Sequence, residues 1–130
     1  MSSKLNDAKV LYKTMAITPT VAIATSITSP ALDMATVGNN QCFAEMIVGV
    51  PTGTETVFIG NIQESPNTTA ASFTNVTAFS TVTSSTGANG VQIVSFQRKE
   101  RFLRFSGTIT GTTCNISLAV SIGGQKNEVT

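Results

Sequence analysis

The chain has 130 residues, a formal net charge of +1, 41% hydrophobic residues and only 12% charged ones. That length suits one domain with a core of its own, and too many Val, Ile and Phe are present for a disordered segment. Near-neutrality excludes the dense basic face that nucleic-acid binding needs, and the absence of histidine removes Ser-His-Asp and Cys-His catalysis together with the familiar His-bearing zinc sites.

Residues 1–19 have mixed charge and a weak helical spacing of Leu5, Lys9 and Tyr12 before Thr18-Pro19. They are expected to form an extended or briefly helical arm, ordered where something holds it. The opening MSSKLNDAKV has no apolar core of a secretory signal, and no stretch approaches the ~18 apolar residues of a membrane span. The expectation is a protein made in a cytoplasm, with no membrane partner.

From residue 20 to 124, short Thr- and Val-rich runs alternate with turn residues, as strands do. TVAIATSIT ends at Ser29-Pro30, ALDMAT at Gly38-Asn39-Asn40, QCFAEMIVGV at Pro51, and ETVFIGNIQE at Ser65-Pro66-Asn67. SFTNVTAFSTV carries one strand or two short ones, and a Gly- and Asn-rich loop follows it. VQIVSFQ and RFLRFSGTIT are joined by a polar turn at Arg98-Lys99-Glu100, and TCNISLAVSIG is read as a separate final strand. Residues 125–130 form a tail.

In the last strand Cys114, Ile116, Leu118, Val120 and Ile122 point one way and Asn115, Ser117, Ala119 and Ser121 the other. Leu103, Phe105 and Ile109 repeat the inward row, as do Cys42, Met46, Val48 and Val50. About eight short strands with greasy inner and hydroxyl-rich outer rows predict an all-β, antiparallel β-sandwich, jelly-roll-like, with an N-terminal arm; a small barrel is the alternative.

Chemistry is scarce. Glu45 and Glu64 on neighbouring predicted strands would suit a glycosidase pair, but the chain has no Trp and one Tyr to stack a sugar. Ordinary outward carboxylates are the simpler reading. No phosphate-binding glycine loop is present, and the Asn67, Asn75 and Asn115 sequons are expected by chance in a Thr-rich chain. Cys42 and Cys114 are read as free, buried thiols, with a bridge across two strands as the alternative. The chain is therefore expected to be no enzyme, with no cofactor, metal or small-molecule substrate.

The charges are segregated. Lys4, Lys9 and Lys13 lie in the arm with Tyr12, and Arg98, Lys99, Arg101 and Arg104 fall in one run, RKERFLRF. The turn should expose Arg98, Lys99 and Glu100, and alternation puts Phe102 and Arg104 together on the outer face. An outward Arg beside an aromatic is the composition of a protein contact. The partner-interface candidates are Lys4, Lys9, Tyr12, Lys13, Arg98, Lys99, Arg101, Phe102 and Arg104.

The order VGVPTGTETVFIGNIQES, a Thr/Ser-Gly loop, then VQIVSFQRKERFLRFSGTITGTTCNISLAVSIGGQK resembles small virion proteins of tailed bacteriophages, the capsid decoration (cement) and minor head proteins. The likeness is one of pattern over residues 20–124. It implies a jelly-roll that binds the capsid exterior and reinforces it, with the major capsid protein and copies of itself (trimer or dimer) as partners. A tail, neck or fibre-associated protein is the alternative within that resemblance, and a carbohydrate-binding module the alternative outside it.

Overall fold

The computed structural model describes residues 11–23, 26–35, 41–83 and 90–125. They form nine strands: β1 (Leu11–Ile23), β2 (Ile27–Thr28), β3 (Leu32–Asp33), β4 (Gln41–Val48), β5 (Thr52–Ser65), β6 (Thr74–Ala78), β7 (Val82–Thr83), β8 (Gly90–Gln97) and β9 (Phe102–Gln125), with one 3₁₀ turn at Ala70–Ser72. Every pairing is antiparallel, and the fold is an all-β sandwich in which a single sheet folds back on itself.

The two strands expected after residue 101 are one strand of 24 residues. The first half of β9 pairs with β5 on one side and with β2 and β3 on the other. Its second half lies between β1 and β4, with β8 beyond β4. One layer is thus β1-β9-β4-β8, and the other is β5 and the start of β9, edged by β6 and β7 on one side and by β2 and β3 on the other. β9 belongs to both.

The passage from one layer to the other lies at residues 110–115, where the β5–β9 register slips between Thr52 and Thr54 and again between Thr54 and Val57. Gly111 there has φ 127°, and Glu55 and Thr113 are held at φ 55° and 51°. A Cβ on Gly111 would lie 2.6 Å from the Cys114 sulfur and 2.9 Å from the Glu55 and Thr54 carbonyl oxygens. Bulge and positive φ together let the strand turn the corner without losing its partners.

Facing rows of the two layers make one core, with Ala44, Met46, Val48, Val120 and Ile122 packed against Phe58, Ile62, Leu103 and Phe105. Phe58 and Phe105 stack with centroids 6.3 Å apart. Their rings cover the cross-strand pair Gly60–Gly107, where a Cβ on Gly107 would stand 2.7 Å from the Phe58 ring. Bare backbone gives these large aromatics room in a thin sandwich. The inward rows read from the sequence are buried at Cys114, Ile116, Leu118, Val120 and Ile122. Val50 differs: β4 ends at Val48, the Gly49 N–H donates to the Ser117 carbonyl, and Val50 emerges exposed before Pro51.

The layers are latched at their open side by Gln92 of β8. Its amide accepts from the Ser80 N–H at 2.7 Å and donates to the Ser80 carbonyl at 3.1 Å, so that one side chain satisfies both backbone groups. At the other end of the chain, β1 runs from Leu11 straight through residues 19 and 20.

The corner predicts a sharp effect. Gly111→Ala is expected to destabilise the fold by at least about 2 kcal/mol, because it combines left-handed strain with a backbone clash; urea unfolding at unchanged m-value measures it.

Candidate interaction surface

In the run RKERFLRF the three arginines make contacts within the chain, and Lys99 does so only through its backbone. Arg98 is 9% exposed, against the expectation of an exposed turn residue. Its Nη1 donates to the Glu100 carbonyl at 2.9 Å and its Nη2 to the Met34 carbonyl at 3.1 Å, so the guanidinium ties the β8–β9 turn to the segment after β3. The same group lies beside Cys42. Burial pushes that thiol's pKa up, and the neighbouring Arg98 charge opposes the rise.

Glu64, one member of the discarded carboxylate pair, shapes the same turn. Its Oε1 accepts from the Lys99 and Glu100 N–H groups at 2.8 and 3.2 Å. Glu45 is on β4 in the other layer, and the two do not form a site. Lys99 is exposed at the tip.

Arg101 stands just before β9 begins, which frees it from the pleat. It forms a two-pronged pair with Asp33, Nε to Oδ1 at 2.8 Å and Nη2 to Oδ2 at 2.7 Å, and lies 5.0 Å from the Phe102 ring centre. The Arg101 hydrogen bonds, helped by the Ala35 N–H, hold the Asp33 carboxyl at about 2, below its ordinary 3.8. Arg104 shares the outward row with Phe102 as expected, both half-buried. It donates to Gln63 Oε1 at 2.7 Å and covers the Phe73 ring at 4.1 Å.

In the arm, Lys4 and Lys9 lie outside the described residues. Tyr12 and Lys13 are strand positions of β1, paired with Gly124 and Gly123 of β9. Tyr12, Gly124, Cys42 and Phe96 follow one another across the sheet, so Tyr12 and Lys13 lie at the end of the layer that carries the run from Arg98 to Arg104. Cys42 and Cys114 are both free and buried. Among the described residues no group of three or more His, Cys, Asp or Glu is placed to hold a metal ion, and no helix is long and apolar enough to cross a membrane.

A second surface differs in character. On the β1-β9-β4-β8 layer the outward row is apolar: Ile93 is 64% exposed, Val91 59%, Ile47 48% and Met15 42%. Registers place them side by side, with Met15 beside Ser121, Ser121 beside Glu45, and Glu45 beside Ile93. In a parallel row Ala119 neighbours Ile47, and Ile47 neighbours Val91. The outer rows here are not the hydroxyl-rich ones expected. Small residues on β9 leave a depression of about 60 Å³, lined by Met15, Glu45, Ile47, Ala119 and Ser121. Ser121 is 3% exposed, and its hydroxyl has no hydrogen-bond partner.

The sequence held this signal in GVQIVSFQ, where Val91 and Ile93 share a face with Ser95. Val94 and Phe96 sit on the opposite face, so the apolar run has no single greasy side to read. Only the pairing with β4, whose Ile47 also points outward, turns isolated residues into a patch.

No protein-family model matches the chain, and no curated protein sequence matches it. The fold does recur in solved structures. The PBSX exported protein XepA superposes with a TM-score of 0.62 at 15% identity, over 92% of this chain and 38% of that one. A Clostridium thermocellum xylanase 10B fragment holding a carbohydrate-binding and a catalytic module gives 0.54 at 15% identity, over 92% and 25%. A protein of the infectious bursal disease virus Gx strain gives 0.50 at 11%, over 92% and 34%. In each case the chain spans well under half of the protein it resembles, and the likeness is one of fold.

Two consequences separate structural roles from contact roles. Arg98→Ala is expected to lower stability by about 1–3 kcal/mol in urea unfolding, because two carbonyl groups lose their donor. Asp33 titrates lower folded than unfolded. Its pairing with Arg101 is complete above about pH 4, and its contribution fades as pH falls towards 2. Asp33→Asn should flatten that part of the stability–pH curve, and added salt should shrink the difference.

Proposed function

We propose that this chain is a structural protein of a bacteriophage particle that binds the outer capsid surface and reinforces the shell. The observation that carries the reading is the apolar outer face of the β1-β9-β4-β8 layer, a rigid plate presenting Ile93, Val91, Ile47 and Met15 to a neighbour. A stable sheet offering such a plate is suited to lie against protein, since burying these side chains supplies association energy without an ordering cost in the backbone.

Two further features support it. The chain has no histidine and its two cysteines are buried, so it offers neither a histidine base nor an accessible thiol nucleophile. Solved structures with this fold include an exported protein of PBSX and a protein of a virus particle. The fold also recurs in a protein with a carbohydrate-binding module, but sugar recognition wants exposed aromatic faces, and the exposed large apolar residues described here are all aliphatic or Met.

The major capsid protein is the proposed partner, and the surface of the virion the proposed location. Quantitative mass spectrometry of purified particles tests this by copy number. Dozens to hundreds of copies per particle are expected. A handful of copies would move the protein to neck, tail or fibre, absence from the particle would end the virion reading, and micromolar binding on a glycan array would favour a carbohydrate module.

A further inference from the structure

We infer that Arg104 anchors a second docking site, on the layer opposite the apolar plate, for a carboxylate carried by an acidic segment of a partner protein. The inference stands on the geometry around Arg104 and does not depend on what covers the plate.

The guanidinium is fixed before any partner arrives. Asn75, Gln63 and Arg104 are register neighbours on β6, β5 and β9. Asn75 Oδ1 accepts from Gln63 Nε2 at 2.8 Å, which turns Gln63 Oε1 towards Arg104, where it accepts from Nε at 2.7 Å. The buried Phe73 ring backs the guanidinium, with its centre 4.1 Å from Cζ, and the Ala70 carbonyl accepts from Nη2 at 3.4 Å. A long surface side chain ordinarily loses rotamer freedom when a partner binds. Here the fold has already removed it.

Every group that holds Arg104 is neutral. A guanidinium has five N–H donors and a permanent charge. Two donors go to Gln63 and Ala70, and the other three, both Nη1–H groups among them, have no acceptor among the described residues. The carboxylates around the run are committed elsewhere: Asp33 takes Arg101 with both oxygens, and Glu64 accepts from the Lys99 and Glu100 N–H groups. Lys99, exposed at that turn, adds a second cation.

The chemistry points to a carboxylate. Arg101 shows the same head group, three residues earlier, closing on an acidic side chain through two short bonds, and charge-assisted bonds of this kind are the strong ones. Nucleic acid is recognised by many cations along a backbone, whereas this site offers one fixed guanidinium flanked by the neutral amides of Gln63 and Asn75. A rigid arginine backed by an aromatic ring is the composition of an interface hot spot, and complementary charge selects the partner. A chain lying with its plate against one neighbour would present this site to another.

Arginine side-chain NMR of the purified full chain, titrated with the peptide Ac-(Glu)6-NH2, tests this. The expected result is a shift of the Arg104 Nε and Nη signals with a dissociation constant on the order of 1 mM at about 20 mM salt, weakened at least about 5-fold at 150 mM. Arg104→Gln should weaken binding at least about 10-fold, and Arg104→Lys, which keeps the charge but loses the planar head, about 5-fold. Gln63→Leu, which frees the guanidinium, should weaken it about 3-fold, and Ile93→Ser on the plate should change nothing. No shift at Arg104, or full binding in Arg104→Lys, overturns the proposal. Tighter binding of the single-stranded oligonucleotide dT12 at the same residues also overturns it, as does binding that appears only after residues 126–130 are deleted, because Glu128 would then be the occupant. The two readings fail separately: peptide binding by a chain absent from virus particles sinks only the capsid reading, and an abundant particle protein that ignores the peptide sinks only this one.

Discussion

Strand β9 is the element on which the rest of the molecule depends. It gives its first half to one layer and its second half to the other, so neither layer can be assembled without it. That arrangement concentrates conformational demand at residues 110–115. A side chain is excluded at Gly111 by the Cys114 sulfur and by two carbonyl oxygens, and Thr113 and Glu55 accept left-handed backbone nearby. Strain of that kind persists only where surrounding contacts over-determine it. Here they do: the Thr56 hydroxyl donates to the Thr52 carbonyl and also contacts the buried Cys114 sulfur at 3.2 Å, fixing the inside of the bend.

With the bend fixed, the core packs across a short gap. Phe58, Phe79 and Phe105 fill it, and the Gly60–Gly107 pair makes space for the rings. The edges are managed by other means. Pro30 separates β2 from β3, so that edge of β9 is covered in two short pieces, with the Ser29 hydroxyl accepting the Phe105 N–H between them. Gln92 closes the far side. Long flat edges invite pairing with other chains, and this fold leaves its apolar surface on a face instead.

Much of this architecture was legible in the chain. Alternation in TCNISLAVSIG and FLRF named the inward residues correctly, and the Pro and Gly punctuation located β4, β5 and β8. Other features depend on distance along the chain. Gly111-Thr112 reads as the break between two strands, because Gly and Thr there give no sign that β5 pairs on both sides of the bend. Arg98 reads as a solvated turn residue, and only the approach of the Met34 carbonyl, 64 residues away in sequence, explains its burial. The register of β1 on β9, which brings Tyr12 and Lys13 to Gly124 and Gly123, is likewise invisible to a local reading.

The basic run shows that a composition typical of interfaces can also serve the fold itself. Arg and aromatic side chains are enriched at interfaces because they make several directional contacts at once, and the same capacity lets them close a fold internally. Arg101 meets Asp33, Arg104 meets Gln63 and Phe73, and Arg98 meets two carbonyls, so the run acts as a clamp between β9 and its neighbours. Aliphatic side chains on a strand have no such internal use once they point outward. Val91, Ile93 and Ile47 cannot be satisfied by a nearby carbonyl or carboxylate; only the removal of water helps them. A surface that keeps its guanidinium groups engaged and its aliphatic groups bare therefore leaves the outer face of the β1-β9-β4-β8 layer as the part with most apolar area to shield from water.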